Sequence, residues 1–470
     1  MKKKLVLVYP NQRWYKTDSN TTWNLNPYTL CQLAAMVESV VEVKIIDAQF
    51  RDLTIEEFKQ QIREFNPDYV GISVMSSEYA ETLHIAAEAV KSVSSQIITI
   101  VGGIHATLEY MQIIGDTNIN FAVRGEGEHV LPLLLQYLGG FASLPETGVV
   151  CMINGKEHIG QQAIVSDISK LPWPAYHLVP LADYLNTGPR VGPLRPPEYP
   201  YIRMSVTRGC PFGCTFCQVE TISGKKIRTR DPLDVVNEIL FLKEKYGIRS
   251  IQFDDDNIIG NKSFFKTLLT LMIVNKTDTK FIIGAFAVFL MTDELLDLMV
   301  KAGCVGVNVA LESGNKRVLS EIVKKPVDLD IAIEKIKDIK ERGLFCLANF
   351  IIGFPGETWE EIRETIAYAE GCGADYIKIF VAVPLKNTKL WDLAVACGAI
   401  ENPATYTVDW RFSTLRSNEW TSKDVSILRA YEWDRINFAT PEKRIRVAEL
   451  WGLPEEEMNR IRKETRDNII

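Results

Sequence analysis

Three cysteines near the middle of the chain have types and spacing suited to binding a metal cluster. Cys210, Cys214 and Cys217 lie in the sequence RGCPFGCTFCQ, which has the pattern C-x3-C-x2-C. Three thiolates on one short loop can bind three irons of a cubane iron–sulfur cluster, because thiolate is the usual protein ligand of such clusters. The fourth iron is then left open for another molecule.

Two alternatives stay open for this motif: a zinc site without its fourth ligand, and three buried cysteines without a shared role. A structural zinc site needs four ligands, and none of the five histidines follows closely in the sequence. The pattern therefore favours the cluster. The other six cysteines have no ligand spacing, and we expect them to be small buried apolar residues: Cys31, Cys151, Cys304, Cys346, Cys372 and Cys397.

The cysteine motif follows the first strand of a strand–helix alternation that begins at Tyr201. The predicted strands are 201–206, 250–253, 281–286, 305–310, 345–351 and 376–381. The helix that begins at Asp231 has an N-cap aspartate and a proline in its first turn, and it stops at Gly247. Six βα units predict a partial (β/α)6 barrel of the TIM type, with its chemistry at the carboxyl ends of the strands.

An earlier alternation occupies residues 1–145. Its predicted strands are 5–9, 43–46, 69–74, 97–101 and 121–123. Thr54 and Glu57 have the spacing of a capping box at the start of a helix. Near-continuous apolar strands separated by helices predict an α/β, Rossmann-like parallel sheet covered on both faces, which binds ligands at the carboxyl ends of its strands.

The rest of the chain lacks this alternation. Residues 146–200 contain two proline-rich stretches and are predicted to be a connector, because proline removes donors and blocks helices. Residues 400–470 are predicted to form a small helical region. The expected organisation is therefore 1–145, 146–200, 201–399 and 400–470.

Composition narrows the class of protein. The chain has 470 residues, 46% hydrophobic and 24% charged, with a formal net charge of -7. These values are typical of a folded globular protein and predict no basic surface for nucleic acid. No segment approaches the roughly 20 apolar residues of a membrane helix, and the apolar run after Lys4 is too short for a signal peptide. We expect a cytoplasmic protein without an integral membrane segment.

Taken in order, these stretches resemble the radical S-adenosylmethionine enzymes, and more closely their branch with an N-terminal cobalamin-binding domain. The resemblance covers residues 1 to about 395. It implies that the open iron of a [4Fe-4S] cluster chelates the amino and carboxylate groups of S-adenosylmethionine. An electron from the cluster then cleaves the sulfonium to give methionine and a 5'-deoxyadenosyl radical.

The resemblance also implies which residues contact S-adenosylmethionine. They lie in the cysteine motif and in the stretches IQFDDDN, ALESGN and FIIGFPGET: Phe216, Asp254, Asp255, Asp256, Glu312, Ser313 and Gly353. A carboxylate after the second strand would accept hydrogen bonds from the methionine ammonium group. We expect at least one of these aspartates to cap its own loop instead.

The chain departs from the family pattern at two strand ends. After the sixth strand it has VPLKNTKL, where the family commonly has a Pro-Gly-Thr turn. The third strand ends as GAFAVFL, without the arginine of some relatives. The first departure predicts a different loop shape, and the second leaves no basic substrate anchor at that strand.

Cobalamin domains of the methionine-synthase type contain D-x-H-x-x-G, S-x-L and G-G, and the histidine ligates cobalt. Here Gln49 replaces that histidine and Asp52 replaces the glycine. The resemblance implies a cobalt without histidine ligation from below, which favours radical methyl transfer. The implied cobalamin contacts are Gln49, Ser73, Met75, Ser76, Gly102, Gly103, His105, Gly125 and Glu126. For His105, the alternative is that it caps a buried loop.

The resemblance implies methyl transfer to an unactivated carbon. One S-adenosylmethionine would methylate cob(I)alamin, and a second would yield the radical that abstracts hydrogen from the substrate. Two alternatives stay open: a cobalamin-dependent cyclisation, oxidation or rearrangement, and a cobalamin-sensing binding protein without turnover. The expected partners are a small-molecule or natural-product substrate and an external electron donor such as flavodoxin or ferredoxin. No catalytic acid or base is assigned.

Overall fold

The computed structural model describes residues 2–16, 25–187 and 198–467. The chain forms two compact units, Met1–Arg190 and Val191–Ile470. Each unit is built around one predominantly parallel sheet. No helix in the described ranges is both long and apolar enough to cross a membrane.

The first unit contains a seven-stranded sheet in the order β2-β1-β3-β4-β5-β6-β7. Its strands are β1 (Lys4–Tyr9), β2 (Glu42–Asp47), β3 (Tyr69–Val74), β4 (Ile98–Gly103), β5 (Phe121–Val123), β6 (Val149–Ile153) and β7 (Lys156–Ile159). Strands β1 to β5 pair in parallel, whereas β6 and β7 are antiparallel. Two apolar clusters contain residues from opposite sides of the strands, so the sheet is covered on both faces. The Rossmann-like prediction is confirmed.

The helices of this unit connect the strands in the usual α/β manner. They are α1 (Tyr28–Val37), α2 (Ile55–Phe65), α3 (Glu81–Val93), α4 (Ile104–Leu108), α5 (Tyr110–Ile114), α6 (Gly127–Leu138) and α7 (Leu181–Leu185). Thr54 and Glu57 form the predicted capping box at the start of α2. A local sequence signal was sufficient here because both partners lie within one turn.

Strands β6 and β7 lie inside the segment predicted to be a connector, and that part of the prediction is wrong. The two strands are joined at Asn154 and Gly155, both of which have positive φ. Asn-Gly between two short β-rich runs is a strong hairpin signal, because both residues tolerate the left-handed region. The connector prediction rested on the prolines that follow and left this turn unused. Part of the proline-rich segment, 188–197, lies outside the described residues.

The second unit begins with β8 (Tyr201–Met204), β9 (Thr207–Arg208) and β10 (Arg228–Thr229), and continues with β11 (Ser250–Phe253), β12 (Lys280–Phe286), β13 (Cys304–Glu312), β14 (Phe345–Ile352) and β15 (Tyr376–Val381). Its main sheet has the order β15-β14-β13-β12-β11-β8, and all neighbours are parallel. Within the described residues, β8 and β15 do not pair with each other and form the two edges. The six predicted strands and the partial, open barrel are confirmed.

The helices of the second unit cover this sheet. They are α8 (Val219–Ile222), α9 (Pro232–Tyr246), α10 (Lys262–Val274), α11 (Asp293–Lys301), α12 (Leu329–Glu341), α13 (Trp359–Gly371), α14 (Lys389–Ala396), α15 (Ser422–Phe438), α16 (Pro441–Trp451) and α17 (Glu455–Asp467). A six-residue π-helix, Val318–Val323, follows β13. Helix α9 has the predicted N-cap at Asp231 and ends at Gly247 in the left-handed conformation.

The C-terminal helices close one edge of the barrel sheet. The side-chain amide of Asn437 on α15 accepts a hydrogen bond from the backbone N–H of Ile377 and donates one to its carbonyl, both at 2.9 Å. An exposed strand edge invites pairing with other chains. Leu347 and Tyr376 pack with Trp451 in one apolar cluster, so α15 to α17 are anchored to the barrel sheet.

Candidate functional site

The cysteine motif forms a loop that two other segments hold in place. The backbone N–H of Cys210 donates to the carbonyl of Gly224 at 3.2 Å. Thr215 donates its backbone N–H to Val323 at 3.0 Å and its hydroxyl to Ile322 at 2.7 Å. The π-helix after β13 therefore supports the motif, and single π-turns are frequent at functional sites.

All three motif cysteines are partly exposed and free of disulfides. Burial raises the pKa of the Cys214 and Cys217 thiols, to about 12 at Cys217, and the charge of Cys210 raises both further. The three cysteines lie on one short loop between β9 and α8. No three His, Cys, Asp or Glu side chains in the described ranges are close enough to bind one metal ion. A cubane cluster places each thiolate on a different iron, and the donor types and number fit it.

The aspartates after β11 have different surroundings. Asp255 is buried, and its Oδ1 accepts hydrogen bonds from the backbone N–H of Val206 and the hydroxyl of Thr207, each at 2.8 Å. Burial raises the pKa of Asp255 to about 7. Asp255 is therefore the aspartate that caps a loop, as expected of at least one. Asp254 instead forms an ion pair with Arg203 of β8.

Two residues of the same stretch support the cysteine motif directly. Asp256 Oδ2 accepts a hydrogen bond from the backbone N–H of Gly209 at 3.0 Å. Asn257 Nδ2 lies 3.6 Å from Cys210 Sγ and donates to it. Hydrogen bonds to cluster sulfurs are one of the ways in which a protein adjusts a cluster's potential.

Glu312 ends β13 in the left-handed region, with φ of 72°, and its Oε1 lies 2.7 Å from the ammonium nitrogen of Lys325. After burial, the largest influences on the Cys214 pKa are Lys325, which lowers it, and Glu312, which raises it. This ion pair therefore lies close to the cysteine loop. Ser313 is fully buried, and its hydroxyl is 2.9 Å from that of Thr365. Contact of Ser313 with S-adenosylmethionine stays a prediction.

Gly353 follows the end of β14 with φ of 80°, and a Cβ there would lie 2.8 Å from a methyl carbon of Val425. The backbone N–H groups of Gly353 and Phe354 both donate to Glu357 Oε2, at 2.7 and 2.8 Å. The rings of Phe216 and Phe354 are 6.3 Å apart. The structure thus brings the cysteine motif and the glycine-containing segment together, and the contact of Phe216 and Gly353 with S-adenosylmethionine stays a prediction.

In the first unit, two glutamines follow the carboxyl ends of β1 and β2. Gln49 is buried, and its Oε1 accepts a hydrogen bond from the backbone N–H of Gln12 at 2.8 Å. Gln49 Nε2 and Gln12 Oε1 are buried without a hydrogen-bond partner among the described residues. Buried amide atoms that lack a hydrogen-bond partner in the protein are suited to hydrogen bonding with a polar ligand. They fit the prediction that the corrin or its side chains are bound at this edge.

At the end of β4, the packing of the strands explains one glycine of the Gly102–Gly103 pair. Gly103 has φ of 91°, and a Cβ there would lie 2.6 Å from the carbonyl of Val74 and 3.0 Å from the hydroxyl of Ser73. Only glycine lets β4 approach β3 this closely. At Gly102, by contrast, a Cβ would make one ordinary contact. A cobalamin contact at these residues stays a prediction.

His105 belongs to a chain of three side chains. Its Nε2 lies 3.3 Å from Nε2 of His84, and His84 Nδ1 lies 2.7 Å from a carboxylate oxygen of Asp116. The Asp116 carboxylate accepts a hydrogen bond from Nδ1–H of His84, and the two histidines meet through their Nε2 atoms. His84, which lies on α3, is the middle of this chain.

The remaining predicted cobalamin contacts also have neighbours within the chain. Met75 packs against an apolar cluster, and Ser76 accepts a hydrogen bond from the backbone of the following turn at 3.3 Å. Gly125 lies against the backbone of the 163–165 segment, and Glu126 accepts a hydrogen bond from the same segment. All four follow β3 or β5 at the sheet's carboxyl edge. Their contact with cobalamin stays a prediction.

Sequence reasoning missed three residues at these sites: Gln12, Asn257 and Lys325. Asn257 directly follows the three aspartates and could have been included with them. Gln12 follows a predicted strand end, which is a general signal for a ligand-binding loop. Lys325 had no signal, because its partner Glu312 lies 13 positions earlier on a different element.

A parallel sheet with polar groups at one edge, joined in one chain to an open barrel with a three-thiol loop, defines a cobalamin- and cluster-binding enzyme class. The chain matches the B12 binding domain model over residues 24–135 and the Radical SAM superfamily model over residues 204–369. The first match contains β2 to β5 of the first sheet, and the second contains β11 to β14 of the barrel sheet.

Relatives extend this match over most of the chain. An uncharacterized methyltransferase of Pyrococcus horikoshii is 30% identical over 90% of this chain and 90% of its own. Cytidylyl-2-hydroxyethylphosphonate methyltransferase of Streptomyces wedmorensis is 28% identical over 85% of this chain and 83% of its own.

A solved structure shares the fold. The radical S-adenosylmethionine methyltransferase TsrM of Kitasatospora setae, with cobalamin and a [4Fe-4S] cluster bound, is 18% identical, covers 85% of this chain and 76% of its own, and has a TM-score of 0.68. The chain belongs to the cobalamin-binding branch of the radical S-adenosylmethionine enzymes. Its cofactors are a [4Fe-4S] cluster, S-adenosylmethionine and cobalamin, and the identification from sequence is confirmed.

Proposed function

We propose that this chain is a methyltransferase that transfers a methyl group to an unactivated carbon of a small molecule. The observation that carries the proposal is the presence, in one chain, of the three-thiol loop and of a B12-type sheet edge that carries glutamine in place of the cobalt-ligating histidine. The methyltransferase names of the two relatives support it. Bound together, the cofactors supply a methyl group and a 5'-deoxyadenosyl radical.

The chain's own residues have distinct tasks in this proposal. Cys210, Cys214 and Cys217 bind the cluster and leave one iron open. Asn257 donates a hydrogen bond to one of these sulfurs, that of Cys210. Hydrogen-bond donors near cluster sulfurs stabilise the cluster's reduced form.

At the first sheet, Gln49 takes the place of a basic lower ligand. Its Oε1 is held by the backbone N–H of Gln12, which leaves the Nε2–H group as a hydrogen-bond donor. An amide nitrogen of this kind has no lone pair available for cobalt. Residue 49 would therefore offer a bound cobalamin a hydrogen-bond donor and no nitrogen ligand.

The test is anaerobic reconstitution with all three cofactors, an electron donor and candidate substrate extracts, followed by mass analysis of the products of methyl-labelled S-adenosylmethionine. Methyl transfer predicts S-adenosylhomocysteine and 5'-deoxyadenosine together, and the label in a product. Formation of 5'-deoxyadenosine without S-adenosylhomocysteine would instead show cyclisation, oxidation or rearrangement. No cleavage at all would show a binding protein.

The reaction requires an electron from outside the chain, because the cluster must be reduced for each radical formed. We propose flavodoxin or ferredoxin as the donor. The matched control is Cys214→Ala, which removes one cluster ligand on the same loop. Its product yield should fall to background with either electron donor.

A further inference from the structure

The concave face of the barrel sheet carries a row of polar side chains that the cofactors do not explain. On β14, Phe350 points to the helices, because its ring contacts Tyr368 of α13 with 6.0 Å between centroids. Side chains alternate along a strand, so Asn349 points to the opposite, concave face. Lys378 of β15 is in register with Asn349 and points the same way.

Asn308 of β13 lies on this face as well. It is in register with Leu347, which is two residues from Asn349 and therefore shares its face. Asn308 is 6% exposed, and its Nδ2 donates to the carbonyl of Gly284 at 2.9 Å. The Oδ1 atoms of Asn308 and Asn349 are buried without a hydrogen-bond partner among the described residues.

The ammonium group of Lys378 has no hydrogen bond or ion pair within the described part of the chain, and the centre of the Phe380 ring lies 6.0 Å from it. Burial alone lowers the pKa of Lys378, to about 8, and no carboxylate acts against this effect. Arg203 of β8, a cation on the same sheet, is paired with Asp254. A half-buried charge without a counter-ion costs free energy that a bound anion would offset.

We propose that Lys378 binds an oxyanion of the substrate, carboxylate or phosphoryl, and that the Oδ1 atoms of Asn308 and Asn349 accept hydrogen bonds from a hydroxyl or amine of the same molecule. Strand neighbours in register are about 4.8 Å apart, so one small molecule can reach both Lys378 and Asn349. The proposal rests on the proposed function, because it defines the substrate of that barrel.

The chemistry favours an anion over a cation or an apolar group. An ammonium donates three hydrogen bonds and accepts none, so its ligand must accept. Because Nδ2 of Asn308 already donates to the carbonyl of Gly284, the atom of Asn308 that is available to a ligand is the acceptor Oδ1. A hydroxy acid, an amino acid or a hydroxyalkyl phosphoryl compound satisfies both requirements.

The experiment uses inorganic phosphate, acetate and glycolate as probes, and follows the thermal unfolding midpoint of the full chain as each probe is added without S-adenosylmethionine. A ligand that binds only the folded state raises this midpoint. The variant is Lys378→Met, with Lys378→Gln as a second variant should the first not fold. The matched control is Lys423→Met, which removes an exposed charge on α15.

In the wild type and in Lys423→Met, we expect all three probes to raise the midpoint, and glycolate more than acetate. The Lys378 variants should bind each probe about tenfold to a hundredfold more weakly, as expected for loss of a charged hydrogen bond. Equal probe binding in wild type and Lys378→Met, or no binding by the wild type, would overturn the proposal.

A second arm identifies the source of the oxyanion, because S-adenosylmethionine also carries a carboxylate. Equilibrium binding of S-adenosylmethionine to the cluster-loaded protein should be unchanged in Lys378→Met. A loss comparable to that of the probes would assign Lys378 to the cofactor and overturn the substrate assignment. Failure of the proposed function would appear separately, as wild-type protein that binds the probes but forms no S-adenosylhomocysteine.

Discussion

Glu312 and Lys325 form a buried ion pair beside the cysteine motif, with 2.7 Å between Oε1 and Nζ and side chains that are 8% and 9% exposed. The pair joins the end of β13 to the segment after the π-helix. The same π-helix accepts two hydrogen bonds from Thr215 inside the motif. The pair thus holds the segment on which the cysteine loop rests.

Lys325→Met should destabilise the protein by about 3 to 5 kcal/mol, because it leaves the Glu312 carboxylate buried without a partner. The double variant with Glu312→Gln should recover most of this loss, since no charge is then buried. Urea unfolding of the two single variants and the double variant measures the coupling. Lys316→Met, at an exposed ion pair with Asp330, is the control and should change little. If the double variant lost as much unfolding free energy as the two single variants together, a direct interaction between Glu312 and Lys325 would be contradicted.

Replacement of any motif cysteine by alanine should abolish cluster binding, because each thiolate is expected to hold a different iron. Reconstituted wild-type protein should contain about four irons per chain. Cys397→Ala is the matched control, since Cys397 is exposed and lies outside the motif. Iron and sulfide analysis, with the visible absorption spectrum, checks this. Wild-type iron content in Cys214→Ala would contradict the assignment.

Gly103→Ala should destabilise the first unit more than an ordinary glycine replacement at positive φ. The new Cβ would meet the carbonyl of Val74 at 2.6 Å, in addition to the cost of the left-handed backbone. Gly140→Ala is the control, because Gly140 also has positive φ but a Cβ at that position would have no atom within 4 Å. Backbone strain alone costs about 1 to 3 kcal/mol. Equal losses of unfolding free energy would show that close approach of β3 and β4 contributes nothing.

Glu357 should make stability depend on pH. Burial raises its pKa to about 8 from an ordinary value of 4.5. Between these two pH values the folded state keeps a proton that the unfolded state has lost. The contribution of Glu357 to the free energy of unfolding is therefore complete below about pH 4.5 and is lost as pH rises through about 8. The full contribution is about 5 kcal/mol.

Glu357→Gln tests this pH dependence, because the amide keeps an acceptor for the backbone N–H groups of Gly353 and Phe354 but does not titrate. Unfolding free energy of the cluster-free chain, measured from pH 5 to pH 8.5, should fall less steeply in the variant. Glu360→Gln, at an exposed position in the first turn of α13, is the control. Parallel curves for wild type and Glu357→Gln would contradict the prediction.

Local sequence signals predicted much of the fold. The capping box of Thr54 and Glu57, the ends of α9 and the six barrel strands each depend on residues within a short window, where backbone conformation and apolar periodicity are decided. The β6–β7 hairpin had an equally local signal at Asn154 and Gly155, although the connector prediction did not use it. The spacing of the three cysteines also indicated its chemistry without tertiary information.

The sequence by itself therefore determined the order of strands and helices, the cysteine loop and the class of enzyme. The fold alone decided which distant residues meet: Lys325 with Glu312, His84 with Asp116 and His105, and Lys378 with Asn349. These partners lie on different elements, and their contact depends on strand register and on packing between elements. No residue pattern within one helix or strand encodes that register, because it results from the burial of many apolar side chains together.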